Sequence, residues 1–370
     1  MLTKFEVENF KNFRDKITVD LTYNGEYNFN EEVISYQNNC ITKGIFFGIN
    51  GSGKSNLGLA MLDIVSHLTG YQVQYERYSQ YLNLDSGKDV AAFSYTFCFD
   101  EHVLRYVYKK KDLYKLVSEE VFIDDVNLIH FDYANNTGFS KLEGTEDLRL
   151  ISNRQLKNPI SMVSFLLNNS LVENEINHVF YRFGDFVRHM LLFYSLDNRG
   201  YQGLKFGKEL LTQGILENSS LEEFELFLNE AGLDYKLIEK NIDGERQIYC
   251  HYNETDVNLF VLASTGTASL ILLYYWYVHM SHCSLVFIDE FDAFYHFKLA
   301  QLIVRKLCKF KDTQIFLTSH NTSLLSNNLL RPDCYFEIVN SSVVSFSQAT
   351  SKELRKAHNL EKMYKAGAFS

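Results

Sequence analysis

The segment Gly48-Ile49-Asn50-Gly51-Ser52-Gly53-Lys54-Ser55 constrains this chain more than any other. It fits the pattern G-x-x-x-x-G-K-[ST]. The glycines let the backbone wrap with its N–H groups turned inward, so the loop becomes a nest for an anion. The flanks suit that geometry. Gly44-Ile45-Phe46-Phe47 reads as a buried strand, and Leu57, Ala60, Met61, Ile64, Val65 and Leu68 recur at helical spacing up to Gly70, a stop signal. A strand turning through such a loop into a helix sets the positive helix N-terminus against phosphate. Lys54 is then placed for the β- and γ-phosphates of a nucleoside triphosphate and Ser55 for Mg²⁺, while Gly48, Asn50, Gly51, Ser52, Gly53 and Asn56 complete the cradle. A plain glycine-rich turn at a strand end is the bland alternative.

Three later segments gain meaning from that loop. In Ser284-Leu285-Val286-Phe287-Ile288-Asp289-Glu290 an apolar run, read as a strand buried on both faces, ends in two acids. The C-terminal edge of such a sheet is where α/β folds place their chemistry. Asp289 is expected in the Mg²⁺ shell, and Glu290 close enough to activate an attacking water. Alone, such a pair more often solvates a strand end. Ile315-Phe316-Leu317-Thr318-Ser319-His320 is a second apolar strand ending in polar groups, with His320 a candidate for a γ-phosphate or water contact. Ser264-Thr265-Gly266-Thr267 opens an apolar helix and reads either as a second anion site without a lysine or as an ordinary N-cap.

Composition bounds the classes this chain can belong to. With 370 residues, 46% apolar and 22% charged, it has the balance of a globular protein with a large core, not a disordered one. The net charge of −10 offers no global footprint for nucleic acid or an anionic membrane, though it leaves room for a local basic patch. Six cysteines contain no Cys-x-x-Cys pair, which argues against a zinc ribbon and reads as reduced core thiols in a cytoplasmic protein. The charged opening MLTKFEVENF is not a signal peptide, and the longest apolar run, Leu270–Val278, is too short to span a bilayer. Aromatic residues make up 15%, a large payload for the core.

Along the chain, alternation at residues 5–21 and again over 91–124 predicts strands, the latter forming a sheet. Residues 161–194 read as two or more helices, 217–232 as a helix capped by Ser219 or Ser220, and 235–252 as a hairpin. The expected organisation is one α/β domain in two halves, 1–149 and 233–370, with a helical insertion at 150–232. Weaker signals remain. Arg182 and His189 form the loose version of an HEPN-type RNase pair, with a solvated helix face as the simpler reading. Lys298, Arg305, Lys306, Lys309 and Lys311 cluster opposite only Asp312, and Lys109-Lys110-Lys111 reads as a turn between strands.

In combination, the order of phosphate loop, Ser-Thr-Gly-Thr loop, apolar-Asp-Glu and Thr-Ser-His resembles the ABC-type ATPase head of the SMC, RecF and OLD-like group. Val7-Glu8-Asn9-Phe10-Lys11-Asn12-Phe13 looks like that group's opening strand and its turn near the nucleotide base, which brings in Asn12. Asp289-Glu290-Phe291-Asp292-Ala293-Phe294-Tyr295-His296 is similar to a segment of prokaryotic ATPases of antiphage systems, of abortive-infection, PARIS or RloA-like type. Asn359–Tyr364 with Gly367-Ala368-Phe369 is similar to their ending. The resemblance implies an α/β fold, an ABC-type P-loop head with a mixed sheet and an antiparallel β lobe, binding ATP and Mg²⁺. It implies Ser55 and Asp289 at the metal, Glu290 as catalytic base and His320 as switch. Ser264, Thr265, Gly266 and Thr267 would then act in trans on a second protomer's nucleotide, with Asp292 in the loop that communicates across the dimer. The signature departs from L-S-G-G-Q, and the loop glutamine has only Gln72, Gln74 and Gln80 as candidates. The chain runs about 50 residues past His320, so the resemblance implies a separate effector protein, such as a Toprim-type nuclease. The function so implied is an ATP-hydrolysing dimeric switch in antiphage defence, with no membrane partner and nucleic acid as an open one. The competing readings are a DNA-repair or recombination ATPase that binds DNA directly, and a low-turnover scaffold that sequesters a toxic partner.

Overall fold

The computed structural model describes residues 1–23, 27–71, 73–145, 160–196, 200–204, 211–339 and 342–369. The chain opens with β1 (Leu2–Glu8), β2 (Ile17–Asp20) and a short hairpin, β3 (Ile34–Ser35) and β4 (Cys40–Ile41). β5 (Lys43–Phe47) runs into the glycine loop, α1 (Lys54–Leu62) and the single turn α2 (Val65–Leu68). Five strands follow: β6 (Ala91–Phe99), β7 (His102–Lys110), β8 (Leu116–Ile123), β9 (Val126–Asp132) and β10 (Thr137–Ser140). The middle holds α3 (Met162–Leu167), α4 (Glu175–Arg188), β11 (Met190–Tyr194), β12 (Tyr201–Gly203), α5 (Leu211–Asn218) and α6 (Leu221–Glu230). Then come β13 (Leu237–Ile242), β14 (Glu245–Tyr252), β15 (Thr255–Asn258), α7 (Leu259–Leu262) and α8 (Thr265–His279). The chain closes with β16 (Leu285–Asp289), α9 (Phe297–Leu307), β17 (Gln314–Thr318), β18 (Tyr335–Val339), β19 (Ser342–Ser345) and α10 (Leu360–Lys365).

Two seven-stranded sheets carry the fold, ordered β10-β9-β8-β7-β6-β1-β2 and β12-β11-β16-β17-β5-β18-β19. The first is antiparallel throughout. In the second, β11, β16, β17, β5 and β18 are parallel, and β12 and β19 form antiparallel edges. The parallel strands read as uninterrupted apolar runs because both faces are covered. α1 packs on β11 and β16. On its other side Tyr95 of the antiparallel sheet donates to the Ala60 carbonyl (2.8 Å). The inward rings of Phe93, Tyr95 and Tyr108 lie in stacked pairs 4.9–6.0 Å apart, and this is where much of the aromatic content goes.

A buried polar knot ties the two layers. Asp63, just past the end of α1, accepts from Tyr81 (2.9 Å), Tyr108 (2.8 Å) and Lys110 Nζ (2.8 Å). Lys110 and Asp63 side chains are both fully buried. The lysine run is therefore not simply a turn: Lys109 and Lys110 end β7, and Lys110 points inward while Lys111 pairs with Asp89 at 2.9 Å. Strand alternation sends neighbouring side chains to opposite faces, which a run of identical residues conceals.

The sequence expectation of helices over 161–194 holds only to Arg188. Met190–Tyr194 is a strand, all five residues buried, inserted beside β16 with Tyr194 opposite Asp289. A five-residue apolar run has no periodicity to separate strand from helix. The segment expected as a helical insertion is accordingly helical in α3–α6 but also supplies β11 and the antiparallel edge β12 to the second sheet; its residues 150–159, 197–199 and 205–210 fall outside the described residues. The α6 helix starts at Ser220, where a capping box with Glu223 satisfies two end N–H groups. All six cysteines are free thiols.

Candidate functional site

The parallel order brings the C-terminal ends of β5, β17, β16 and β11 to one edge, in register as Phe46–Thr318, Ile288–Leu317 and Tyr194–Asp289. The glycine loop leaves β5 at this edge. Its shape depends on small residues at two points: a Cβ at Gly48 would meet Ser52 Oγ at 2.5 Å and the Ile338 carbonyl at 2.9 Å, and one at Gly53 (φ +107°) would meet Asn12 Nδ2 at 2.3 Å. Asn12 clamps the loop, donating to the Ser52 carbonyl (3.2 Å) and accepting from Asn56 (2.8 Å). The turn that carries Asn12 is closed by Phe10 and Phe13, whose backbones exchange hydrogen bonds.

Lys54 is buried, and its ammonium donates to the Gly48 (2.9 Å) and Ile49 (3.2 Å) carbonyls. Burial lowers its pKa, opposed by the charges of Glu290 and Asp289 nearby. Beside the loop, Ser55, Arg77, Tyr194, Leu196, Asp289 and Glu290 line a cavity of about 430 Å³. One hydroxyl holds the Asp289 carboxylate and the Glu290 backbone. Thr318 Oγ1 donates to Asp289 Oδ1 (2.7 Å) and accepts from the Glu290 backbone N–H (2.7 Å). Glu290 has φ +49°, a conformation that strains a non-glycine residue and turns it off the strand direction. The Arg77 guanidinium stacks over the Tyr194 ring, 3.6 Å from its centroid, and its Nε donates to Gln74 Oε1 (2.6 Å).

A nucleotide and its metal fit this chemistry. Ser52 Oγ is buried with no hydrogen-bond partner among the described residues, and the Ser55 hydroxyl, the two carboxylates Asp289 and Glu290 and the cationic Arg77 line one cavity, with Lys54 beside it. Lys54, Ser52 and the loop N–H groups are the residues that would hold a polyphosphate, and Ser55 and Asp289 a Mg²⁺ ion.

The structure thus brings Ser55, Asp289 and Glu290 into one cavity, with Lys54 beside it. It does not place the other sequence candidates there. His320 is exposed one residue beyond buried Ser319 and is not part of the lining. Asp292 accepts from Ser319 Oγ (2.8 Å), and burial raises its pKa against the pull of that bond and of Asn321. Ser264 caps α8, its Oγ accepting from the Thr267 N–H (3.2 Å), while Thr265 is exposed and Gly266 lies against the Phe294 carbonyl. Ser264–Thr267 do not line the cavity of their own chain. Of the glutamines, Gln74 holds Arg77, Gln80 donates to the Leu82 carbonyl (3.2 Å), and Gln72 lies outside the described residues.

Sequence reading missed Arg77, Tyr194 and Thr318. Thr318 was visible as a hydroxyl ending the strand next to Asp289. Arg77 and Tyr194 carry no motif; the β11–β16 pairing puts Tyr194 at the cavity, and Arg77 reaches it by stacking on that ring. The RNase-like pair does not form a site: Arg182 pairs with Asp100, and His189 Nδ1 contacts the Asp185 carbonyl (2.7 Å). In the basic cluster, Lys306 pairs with Glu230 of α6, an opposing charge the linear sequence concealed.

The loop, the parallel sheet and the carboxylates at its edge define a P-loop nucleotide-binding domain. Residues 45–326 match the family model described as "AAA domain, putative AbiEii toxin, Type IV TA system", and the chain belongs to that family. Solved structures similar to it include the SMC head domain from Thermotoga maritima (14% identity, 93% of this chain and 98% of that chain, TM-score 0.44). An SMC head bound to the C-terminal winged-helix domain of ScpA has 13% identity, 93% and 97% coverage, and TM-score 0.46. A third, the Pyrococcus furiosus SMC head with an extended coiled coil and the C-terminal domain of ScpA, has 13% identity, 99% and 98% coverage, and TM-score 0.42. No curated protein matches the sequence. Among the described residues no helix is long and apolar enough to cross a membrane.

Proposed function

We propose that this chain binds ATP with Mg²⁺ and hydrolyses it, and that two copies close around the nucleotides and open after hydrolysis. The observation that carries the reading is the Thr318 hydroxyl, which holds Asp289 and orients Glu290 at the cavity beside Ser55. In this scheme Lys54 and the loop N–H groups bind and orient the triphosphate, and Mg²⁺ offsets its charge when bound. Glu290 accepts the proton of the attacking water, and Arg77, in the same cavity lining, stands ready for phosphate charge. Ser264–Thr267 complete a partner's site, which accounts for their place outside their own cavity, and Asp292 and His320 relay closure. The chain works in the cytoplasm as a switch of antiphage defence that controls a separate effector, the Toprim-type nuclease class being the first to look for. The toxin–antitoxin wording of the family description favours this over a DNA-repair role.

The test is Glu290→Gln protein recovered from its host in ATP and analysed by native mass spectrometry, beside Lys54→Ala. The expected result is an ATP-loaded dimer carrying a second polypeptide, and no nucleotide on Lys54→Ala. A bare dimer or one with nucleic acid alone would overturn the effector assignment, and nucleotide retained by Lys54→Ala would overturn the site.

A further inference from the structure

Two exposed apolar features flank the functional elements without serving them. Ile49, inside the phosphate loop, is 79% exposed. Its carbonyl is held by Lys54 Nζ (3.2 Å) and the Ser52 N–H (3.1 Å), so its backbone is pinned while its side chain points to solvent. A phosphate loop works through backbone N–H groups and gains nothing from an apolar side chain at this position. On the other side, α7 presents three consecutive apolar residues just before Ser264: Phe260, Val261 and Leu262, at 37%, 77% and 38% exposure. Phe294, 38% exposed, has its carbonyl 3.4 Å from a Cβ built at Gly266, in the first turn of α8 that follows α7.

We infer that in the closed dimer Ile49 of each protomer seats on the α7 patch of its partner, centred on Val261. The inference rests on the proposed ATP-driven dimer. Ser264–Thr267 lie outside their own chain's cavity, so that reading sets them against the partner's phosphate loop. Symmetry then brings each chain's loop to the other's Ser-Thr-Gly-Thr segment, and every contact occurs twice. Two apolar features that cost exposure in the single chain flank those two segments, one on each side of the joint. The seat couples apolar burial to nucleotide occupancy, because the loop that grips phosphate also carries Ile49. The occupant is a second copy of this chain.

The experiment mixes Ile49→Cys protein with Val261→Cys protein, each also carrying Glu290→Gln, and oxidises with and without ATP and Mg²⁺. A disulfide between the two chains that forms only with ATP is expected, since neither variant alone contains the pair. In parallel, Val261→Asp should still bind ATP but self-associate more weakly, roughly tenfold for each lost contact and so about 100-fold for two. If Glu290→Gln protein dimerises in ATP but no inter-chain disulfide forms and Val261→Asp dimerises normally, the seat is wrong while the dimer stands. If Glu290→Gln protein binds ATP and stays monomeric, the dimer itself is wrong and the seat falls with it.

Discussion

Replacing Thr318 with valine tests the site most sharply, because valine keeps the shape and removes only the hydroxyl. Thr318 is fully buried, and its oxygen makes two bonds of 2.7 Å, one donated to Asp289 and one accepted from the Glu290 N–H. Losing a hydrogen bond to a carboxylate costs about 1.5–3 kcal/mol, and orphaning a backbone N–H about 1–3 kcal/mol. Partial rescue by water brings the expected net loss to about 2–4 kcal/mol. At roughly 2 °C per kcal/mol for a chain of this size, the melting temperature should fall by about 4–8 °C. The Glu290 backbone, held at φ +49°, would relax toward an unstrained conformation and carry its carboxylate away from the cavity. Turnover should drop about 10–100-fold, the cost of misplacing a catalytic group by about an ångström, while nucleotide affinity changes little. Thr318→Ser should restore both. The assays are thermal unfolding, phosphate release and nucleotide titration on the three proteins. A valine variant that melts and turns over like the unsubstituted protein would refute the assignment of Thr318 as the group that sets Asp289 and Glu290.

Two further perturbations probe the scaffold. Lys110→Met leaves the Asp63 carboxylate buried without its cation and should cost about 3–5 kcal/mol in urea unfolding, with Asp63→Asn/Lys110→Met recovering part of it; a single variant within 1 kcal/mol, roughly, of the starting protein would show that the pair is not a tie between layers. Lys43 at the foot of β5 donates to the Phe310 (2.7 Å) and Thr313 (2.9 Å) carbonyls, with no carboxylate bonded to it among the described residues, and burial lowers its pKa from 10.5 to about 8. Below pH 8 both folded and unfolded chains hold this proton, and above 10.5 neither does. Between these values only the unfolded chain binds it, so Lys43 adds stability as pH rises, on the order of 1 kcal/mol per pH unit. Lys43→Met should flatten that rise in denaturation midpoints from pH 8 to 10, and an unchanged slope would remove Lys43 as its source.

Much of the candidate site was legible in linear order. Gly48–Ser55, Asp289 and Glu290 each sit on a strand or loop whose apolar pattern is local, and that pattern alone predicted β5, α1, β16 and β17. The strands β6–β8 of the antiparallel sheet were equally readable from their alternation, while β9 and β10 lay past the segment so read. Ser264 kept both of its meanings: it is an N-cap within the chain, and its role toward a partner rests on the proposed dimer.

What the sequence determined by itself was therefore the set of chemical groups and the local elements that carry them, because glycine conformations, caps and periodicities act over a few residues. The tertiary structure decided which groups meet. Met190–Tyr194 is an apolar run that no period marks as strand, yet its place beside β16 puts Tyr194 and Leu196 at the cavity and gives Arg77 a ring to stack on. Lys110 looked like one of three surface lysines until the pleat turned it onto Asp63. Thr318 became the keystone of the acidic pair only because parallel register sets the ends of β16 and β17 side by side. Such pairings depend on strand order and register, which are settled by burial of whole faces across residues far apart in the chain.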